Sequence, residues 1–346
     1  MRTRRDLFFD MGASLSALGL VSSVPGLELA SGRKPGQDQP AQGTGLVYDD
    51  RFLEHVLPLR QGQVHPERPL RLQRIREAFA ARSLDQELVD VAPIGDPFPQ
   101  IQGHHTAEHV ASVRQIDVTG PVSALAVAGA LGAVDAVARR EVRNVFCCSR
   151  PPGHHANNTG AEEGFCFYSN AAIAAKYAQQ MHGYERVLIV DWDYHHGNAT
   201  QNAFYDDPSV LFFSTHDWHA YPGTGDPGLR GSGEGEGSNI NVHLDCGARD
   251  ADMLTSWDHQ LLPALNNFRP DLVIISAGFD SRRDDLLGCF DVTDDAFRRM
   301  TRTIMDVADD FCDGRVVSLL EGGYNVDGTA LAAAAHVETL LGADAG

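Results

Sequence analysis

From Leu46 onward, short runs of apolar residues alternate with longer segments whose apolar positions recur at helical spacing. The runs lie at 145–148, 187–190, 210–213, 240–244, 272–276 and 316–320. Most carry no polar alternation, so they read as strands covered on both sides rather than strands with one wet face. Helical segments at 121–140, 170–182 and 251–268 stand between them. The first is opened by Pro121, whose missing N–H costs nothing in a first helical turn. It is rich in alanine, with Gly129 and Gly132, and so is shaped to pack closely on a sheet. The rhythm predicts an α/β domain: a mainly parallel sheet with helices on both faces. One long glycine-rich stretch, Ser214 to Ser238, interrupts it. No Gly-Lys-Ser/Thr follows that stretch and its charges are mostly acidic, so it reads as a pocket rim rather than a phosphate cradle.

Polar residues collect where these runs stop. Arg150-Pro-Pro-Gly-His-His155 follows the run ending at 148, and Asp191-Trp-Asp-Tyr-His-His-Gly197 follows the run ending at 190. In an open α/β sheet the carboxyl ends of the strands are where sites are assembled. Residues two apart in an extended segment share a side, so Asp193 and His195 can reach one metal ion, with Asp191 behind them. Asp280, after the run 272–276, is the best candidate for a third ligand. Asp, His and Asp leave one position open, as a hydrolytic zinc site requires. His154 and His155 follow a Pro-Pro-Gly turn from which both can face a cavity. Each needs a partner on its other ring nitrogen, and Asp191 can serve one and Asn198 the other. The glycines of Glu321-Gly-Gly-Tyr324 allow close backbone approach, and the tyrosine hydroxyl can donate to a developing oxyanion.

Composition narrows the partners. At 346 residues with 43% apolar content the chain can bury one large core. A formal charge of −19 argues against nucleic acid and is compatible with a cationic substrate. No run approaches the roughly 18 apolar residues of a membrane span, so no stable membrane anchor is expected. The cysteines at 147, 148, 166, 246, 289 and 312 form no C-x-x-C pair and read as small buried hydrophobes. Residues 1–30 look like a twin-arginine export signal: Thr3-Arg4-Arg5-Asp6-Leu7-Phe8-Phe9, then a mildly apolar stretch. Export of the folded chain to the periplasm or exterior is therefore expected, with a cytoplasmic location the alternative. Residues 31–45 read as a flexible linker.

RPPGHH, DWDYHHGN, SAGFD and LLEGGYN, with His65-Pro-Glu-Arg68 upstream and Glu163-Gly-Phe-Cys-Phe167 between, together resemble the histone deacetylase superfamily over roughly residues 46–345. The resemblance implies the arginase/deacetylase fold, a single three-layer αβα domain with an eight-stranded sheet. It also implies hydrolysis of N-acetylated primary amines, with acetyl-lysine the leading substrate and acetylpolyamine the alternative. Asp193, His195 and Asp280 would hold one zinc ion, His154 and His155 would be the tandem histidines with Asp191 and Asn198 as partners, and Tyr324 would activate the carbonyl. Asn198 stands where class I members carry Asp and favours the class II branch. Gly153, Phe165, Tyr221 and Leu287 would line the substrate channel. Polyamine-selective relatives tend to place Glu at the position of Leu287. A potassium or sodium ion would sit on Asp191, Asp193, His195, Ser214 and Thr215, and a second near Phe204, Asp207, Val210 and Ser238. Arginases need a further Asp where Gly197 stands, which favours a single zinc. No dimerising loop is recognisable, and a catalytically silent acyl-amine-binding module would be expected to have lost one of these groups. None is lost.

Overall fold

The computed structural model describes residues 41–57 and 63–342. The leader expected at 1–30 lies outside the described residues. Eight strands form one sheet: β1 (Thr44–Val47), β2 (Leu88–Asp90), β3 (Asn144–Cys147), β4 (Val187–Asp191), β5 (Val210–His216), β6 (Asn239–His243), β7 (Leu272–Ala277) and β8 (Val316–Leu320). Their order is β2-β1-β3-β8-β7-β4-β5-β6, and every pairing is parallel. All eight carboxyl ends therefore share one edge, where the loops carrying the polar motifs meet.

β3, β4, β5, β7 and β8 are buried along their whole length. This is why their sequences are apolar runs rather than alternations. Two strands escaped the hydrophobic pattern. β1 is a short Thr-Gly-Leu-Val segment that begins inside the expected linker, and β2 is three residues long and mostly exposed at the sheet edge. Helices flank the sheet. Thr119–Ala138 packs on Asn170–His182, while Leu70–Ala81, Asp294–Cys312 and Val326–Leu340 form a second packed group.

Thr119–Ala138 corrects one expectation. With a mean hydropathy of 1.7 it is long and apolar enough to cross a membrane, but 83% of that stretch is buried inside the fold. The helix expected over 251–268 is not continuous: Asp250–Ser256 and Leu262–Phe268 are joined by a π-helical turn, Trp257–Leu261. Pro263 lacks the N–H that a regular ladder would use at this point. Two cysteines also depart from the expected burial. Cys246 and Cys289 form a disulfide across a sequence separation of 43, whereas Cys147, Cys148, Cys166 and Cys312 are free and buried.

Candidate metal centre and tandem histidines

β4 ends at Asp191, and the chain then leaves the sheet with its next polar groups held by backbone N–H donors. Asp191 Oδ1 accepts from Asp193 N at 3.1 Å, and Asp193 Oδ1 accepts from His195 N at 2.8 Å. From the neighbouring strand, the loop after β7 brings Asp280, whose Oδ1 accepts from Tyr194 N at 2.8 Å. Each carboxylate thus has at least one oxygen fixed by the backbone. His195 Nδ1 lies 3.1 Å from Asp193 Oδ1 and 3.0 Å from Asp280 Oδ2. The three side chains are buried, and their ligating atoms all lie within 4.8 Å of one another.

No ion pair of Asp193 or Asp280 among the described residues is to lysine or arginine; the only partners are histidines. Two buried carboxylates without a fixed cation are costly. Their charge shows in the groups around them. Burial opposes a charged His195, yet Asp193 and Asp280 outweigh it and raise the ring to about 10. Burial and the Asp193 charge raise Asp280 itself. A divalent cation would remove this conflict, and an Asp-His-Asp donor set fits zinc. Glycine makes the approach possible. Gly322 N donates to Asp193 Oδ2 at 2.8 Å, and a Cβ at Gly322 would fall 2.3 Å from Asp280 Oδ2.

The tandem histidines sit beside this centre with their rings 4.0 Å apart. His154 Nδ1 is 3.0 Å from Asp191 Oδ2, and His155 Nδ1 is 2.8 Å from Asn198 Oδ1. The different partners set different charges. Burial disfavours a charged His154, but Asp193 and Asp191 override it and hold the ring well above the ordinary imidazole range. Burial and the neighbouring His154 push His155 well below that range. Tyr324 is buried, and burial together with the Asp280 and Asp193 charges keeps its hydroxyl protonated far up the scale.

A cavity of about 530 Å³ opens onto these groups, lined among others by His155, His195 and Tyr324 at its base and by Phe165, Tyr221 and Leu287. Glu162, Gly164, Tyr194 and Ala220 complete it; Gly164 and Tyr194 stand inside quoted motifs, whereas Glu162 and Ala220 had no signal in the sequence beyond proximity to a predicted residue. Gly153, expected in the channel, is not there. It lies behind the wall, where its N–H donates to Glu321 Oε2 at 2.6 Å and a Cβ would meet Asn170 N at the same distance. Glu321 was legible only as part of a motif. Its carboxylate also accepts from His154 N at 3.3 Å and Ser276 Oγ at 3.2 Å, which anchors the histidine turn on β7.

The groups expected around a monovalent cation are neighbours. Asp191 pairs with Ser214 across β4 and β5, and the buried Thr215 Oγ1 has no hydrogen-bond partner. At the second expected cation position, the oxygens of Phe204, Asp207 and Ser238 accept backbone hydrogen bonds from Asp207, Val210 and Phe212.

A buried ion network behind the site was not foreseen. Glu67 pairs with Arg150, through Nε and through Nη2 at 2.6 Å, with Arg71 at 3.2 Å and with His55 at 3.2 Å; every side chain in it is fully buried. Arg71 Nη2 also donates to Glu321 O at 2.6 Å, and its guanidinium lies 5.3 Å from the centre of the Tyr324 ring.

The histone deacetylase domain family matches residues 65–340. A probable deacetylase of Archaeoglobus fulgidus is 36% identical over 82% of this chain and 82% of its own length. The human protein named polyamine deacetylase HDAC10 is 36% identical over 87% of this chain and 48% of its own length. The chain spans about half the length of such plant and human curated relatives. Among solved structures, the HDA15 HD domain superposes with a TM-score of 0.82 at 37% identity, covering 87% of this chain and 89% of that one.

Proposed function

The chain belongs to the histone deacetylase family, and on that premise we propose that it hydrolyses N-acetylated primary amines to acetate and free amine. The observation that carries the reading is a cavity lined by His155, His195 and a protonated Tyr324, with Asp193, Asp280 and the oppositely charged His154 packed directly behind them. Zinc held by those three residues would supply a Lewis acid for the acetyl carbonyl and lower the pKa of water toward neutrality.

The chain's own groups do the rest. His155, neutral and oriented by Asn198, takes the proton of the attacking water. Tyr324 donates to the carbonyl oxygen as negative charge develops there. The C–N bond breaks, and His155 or His154 returns a proton to the departing amine. His154, kept charged by Asp193 and Asp191 until it gives up a proton, adds positive charge beside the reacting atoms. Phe165 and Tyr221 offer aromatic walls to an alkyl chain. Leu287, apolar and 41% exposed at the rim, favours acetyl-lysine in a peptide over a polyamine, whose second ammonium an acidic residue would hold. A monovalent ion at Asp191, Asp193, His195, Ser214 and Thr215 would brace the ends of β4 and β5. Export through the leader is part of the same proposal, and the Cys246–Cys289 disulfide supports it because such bonds persist in oxidising compartments.

Acetate release from an acetyl-lysine peptide and from acetylputrescine tests the reading with zinc-loaded protein. Turnover of the peptide is expected; turnover of the polyamine alone would overturn the argument from Leu287, and of neither would sink the activity. Tyr324→Phe is expected to lose about 10²–10³ in kcat, the cost of removing one oxyanion donor. Near-native kcat in that variant would remove Tyr324 from the chemistry.

A further inference from the structure

Asp191 and Asn198 are not equivalent partners for their histidines. An ionised carboxylate can only accept, so Asp191 fixes the proton on His154 Nδ1. An amide can present either its oxygen or its NH₂ group, so Asn198 by itself leaves the tautomer of His155 undetermined. The structure supplies what the amide lacks. Glu163 lies in a tight turn in which it and Cys166 exchange two backbone hydrogen bonds of 2.9 Å. Its Oε1 accepts from Asn198 Nδ2 at 3.0 Å. Two further side chains hold the carboxylate in place: Asn157 Nδ2, 3.2 Å from each oxygen, and Thr159 Oγ1, 2.6 Å from Oε2. Asn157 Nδ2 also donates to His155 O at 3.2 Å, so the same residue ties Glu163 to the backbone of the histidine it serves.

We propose that Glu163 is a positioning residue: it locks the Asn198 amide with its oxygen toward His155, and thereby keeps the His155 proton on Nδ1 and the lone pair on Nε2. The inference deepens the proposed reaction and rests on that reading for its catalytic consequence. Glu163 does not itself line the cavity and acts only through Asn198. The logic is that of acceptor and donor. A carboxylate facing the NH₂ leaves only the carbonyl for His155 Nδ1, and a carbonyl can be satisfied there only by an N–H. The remaining ring nitrogen is then the one that can take a proton from water. The arrangement gives His155 the orientation that Asp191 gives His154, without placing a second charged carboxylate against the ring.

The test is a double-mutant cycle in the zinc-loaded chain. In Glu163→Gln the new amide can donate as well as accept, Asn198 is free to turn over, and part of the His155 population carries its proton on the wrong nitrogen. A fall in kcat of about tenfold or more is expected, with KM, melting temperature and zinc content unchanged. Adding Asn198→Asp to Glu163→Gln should restore most of that loss, because a carboxylate at 198 accepts from His155 whichever way residue 163 turns. Glu163→Gln with kcat within about twofold of wild type, or a double variant no better than Glu163→Gln, would overturn the proposal. Nitrogen-15 spectra of histidine-labelled protein give a readout that does not depend on turnover. His155 protonated on Nδ1 in the wild type and mixed in Glu163→Gln is the expected result; a wild-type His155 protonated on Nε2 would refute it. Absence of turnover on every acetylated amine would defeat the proposed function while leaving this spectroscopic test standing.

Discussion

His155→Ala should lower kcat by about 10²–10⁴, the usual contribution of a positioned general base, while KM and bound zinc change little. The expectation follows from charge rather than from proximity alone. His154 also stands beside the centre, its Nε2 3.8 Å from Asp193 Oδ2, but Asp193 and Asp191 keep it protonated, and a protonated ring has no lone pair with which to accept from water. His155 is pushed the other way by burial and by His154, so it is the histidine that is neutral at pH 7. For the same reason the acid limb of kcat/KM should lie below the ordinary histidine value of about 6.5. Steady-state kinetics with metal analysis on the same preparation decides the matter. Retained turnover, or a loss that tracks lost zinc, would transfer the base role elsewhere.

Glu67→Ala is expected to be the most damaging change for stability, on the order of 3–5 kcal/mol. It removes the carboxylate shared by Arg150, Arg71 and His55 and leaves two buried guanidiniums without their counter-charge. Burial alone would raise the Glu67 carboxyl, but Arg150, His55 and Arg71 together hold it well below the usual range. A carboxylate depressed in the folded state contributes stability that is full above its unfolded pKa, about 4.3, and is lost only as pH falls through the lower folded value. Denaturant unfolding at neutral pH should therefore show the full difference between the two proteins, and the gap should narrow in acid. A variant as stable as wild type at pH 7 would mean that the network adds nothing net. Because Arg71 also holds the carbonyl of Glu321 and faces Tyr324, the surviving folded fraction should turn over more slowly as well.

Asp193, His195 and Asp280 were readable because their chemistry is carried by residue type at the ends of apolar runs. The same holds for β3, β4, β5, β7 and β8, buried strands that betray themselves as hydrophobic stretches. β2 did not, because an exposed edge strand of three residues has no burial to impose a pattern. Glu67 and Arg150 stood in quoted motifs, yet nothing local says that residues 83 apart will meet inside the protein. Glu163 was hidden in the same way: it headed a quoted motif, but nothing local says that its carboxylate will meet Asn198, 35 residues on. Gly153 misled because a glycine beside a site can serve either the cavity or the backbone packed behind it, and here it serves the latter.

The place of β8 governs the order in which the molecule can come together. β1, β2 and β3 form one edge of the sheet and β4 to β7 the other, and β8, the last of the described strands, is the only one of them that pairs with both groups. A polypeptide emerging from the ribosome has both halves in hand long before the strand that joins them. Until residues 316–320 arrive, no strand pairing joins the half that carries His154 and His155 to the half that carries Asp193, His195 and Asp280. The loop that follows β8 carries Gly322 and Tyr324, so the final joining step also delivers the last pieces of the pocket. The pocket is thus incomplete in every chain that stops short of Tyr324, and the finished site arrives together with the finished sheet.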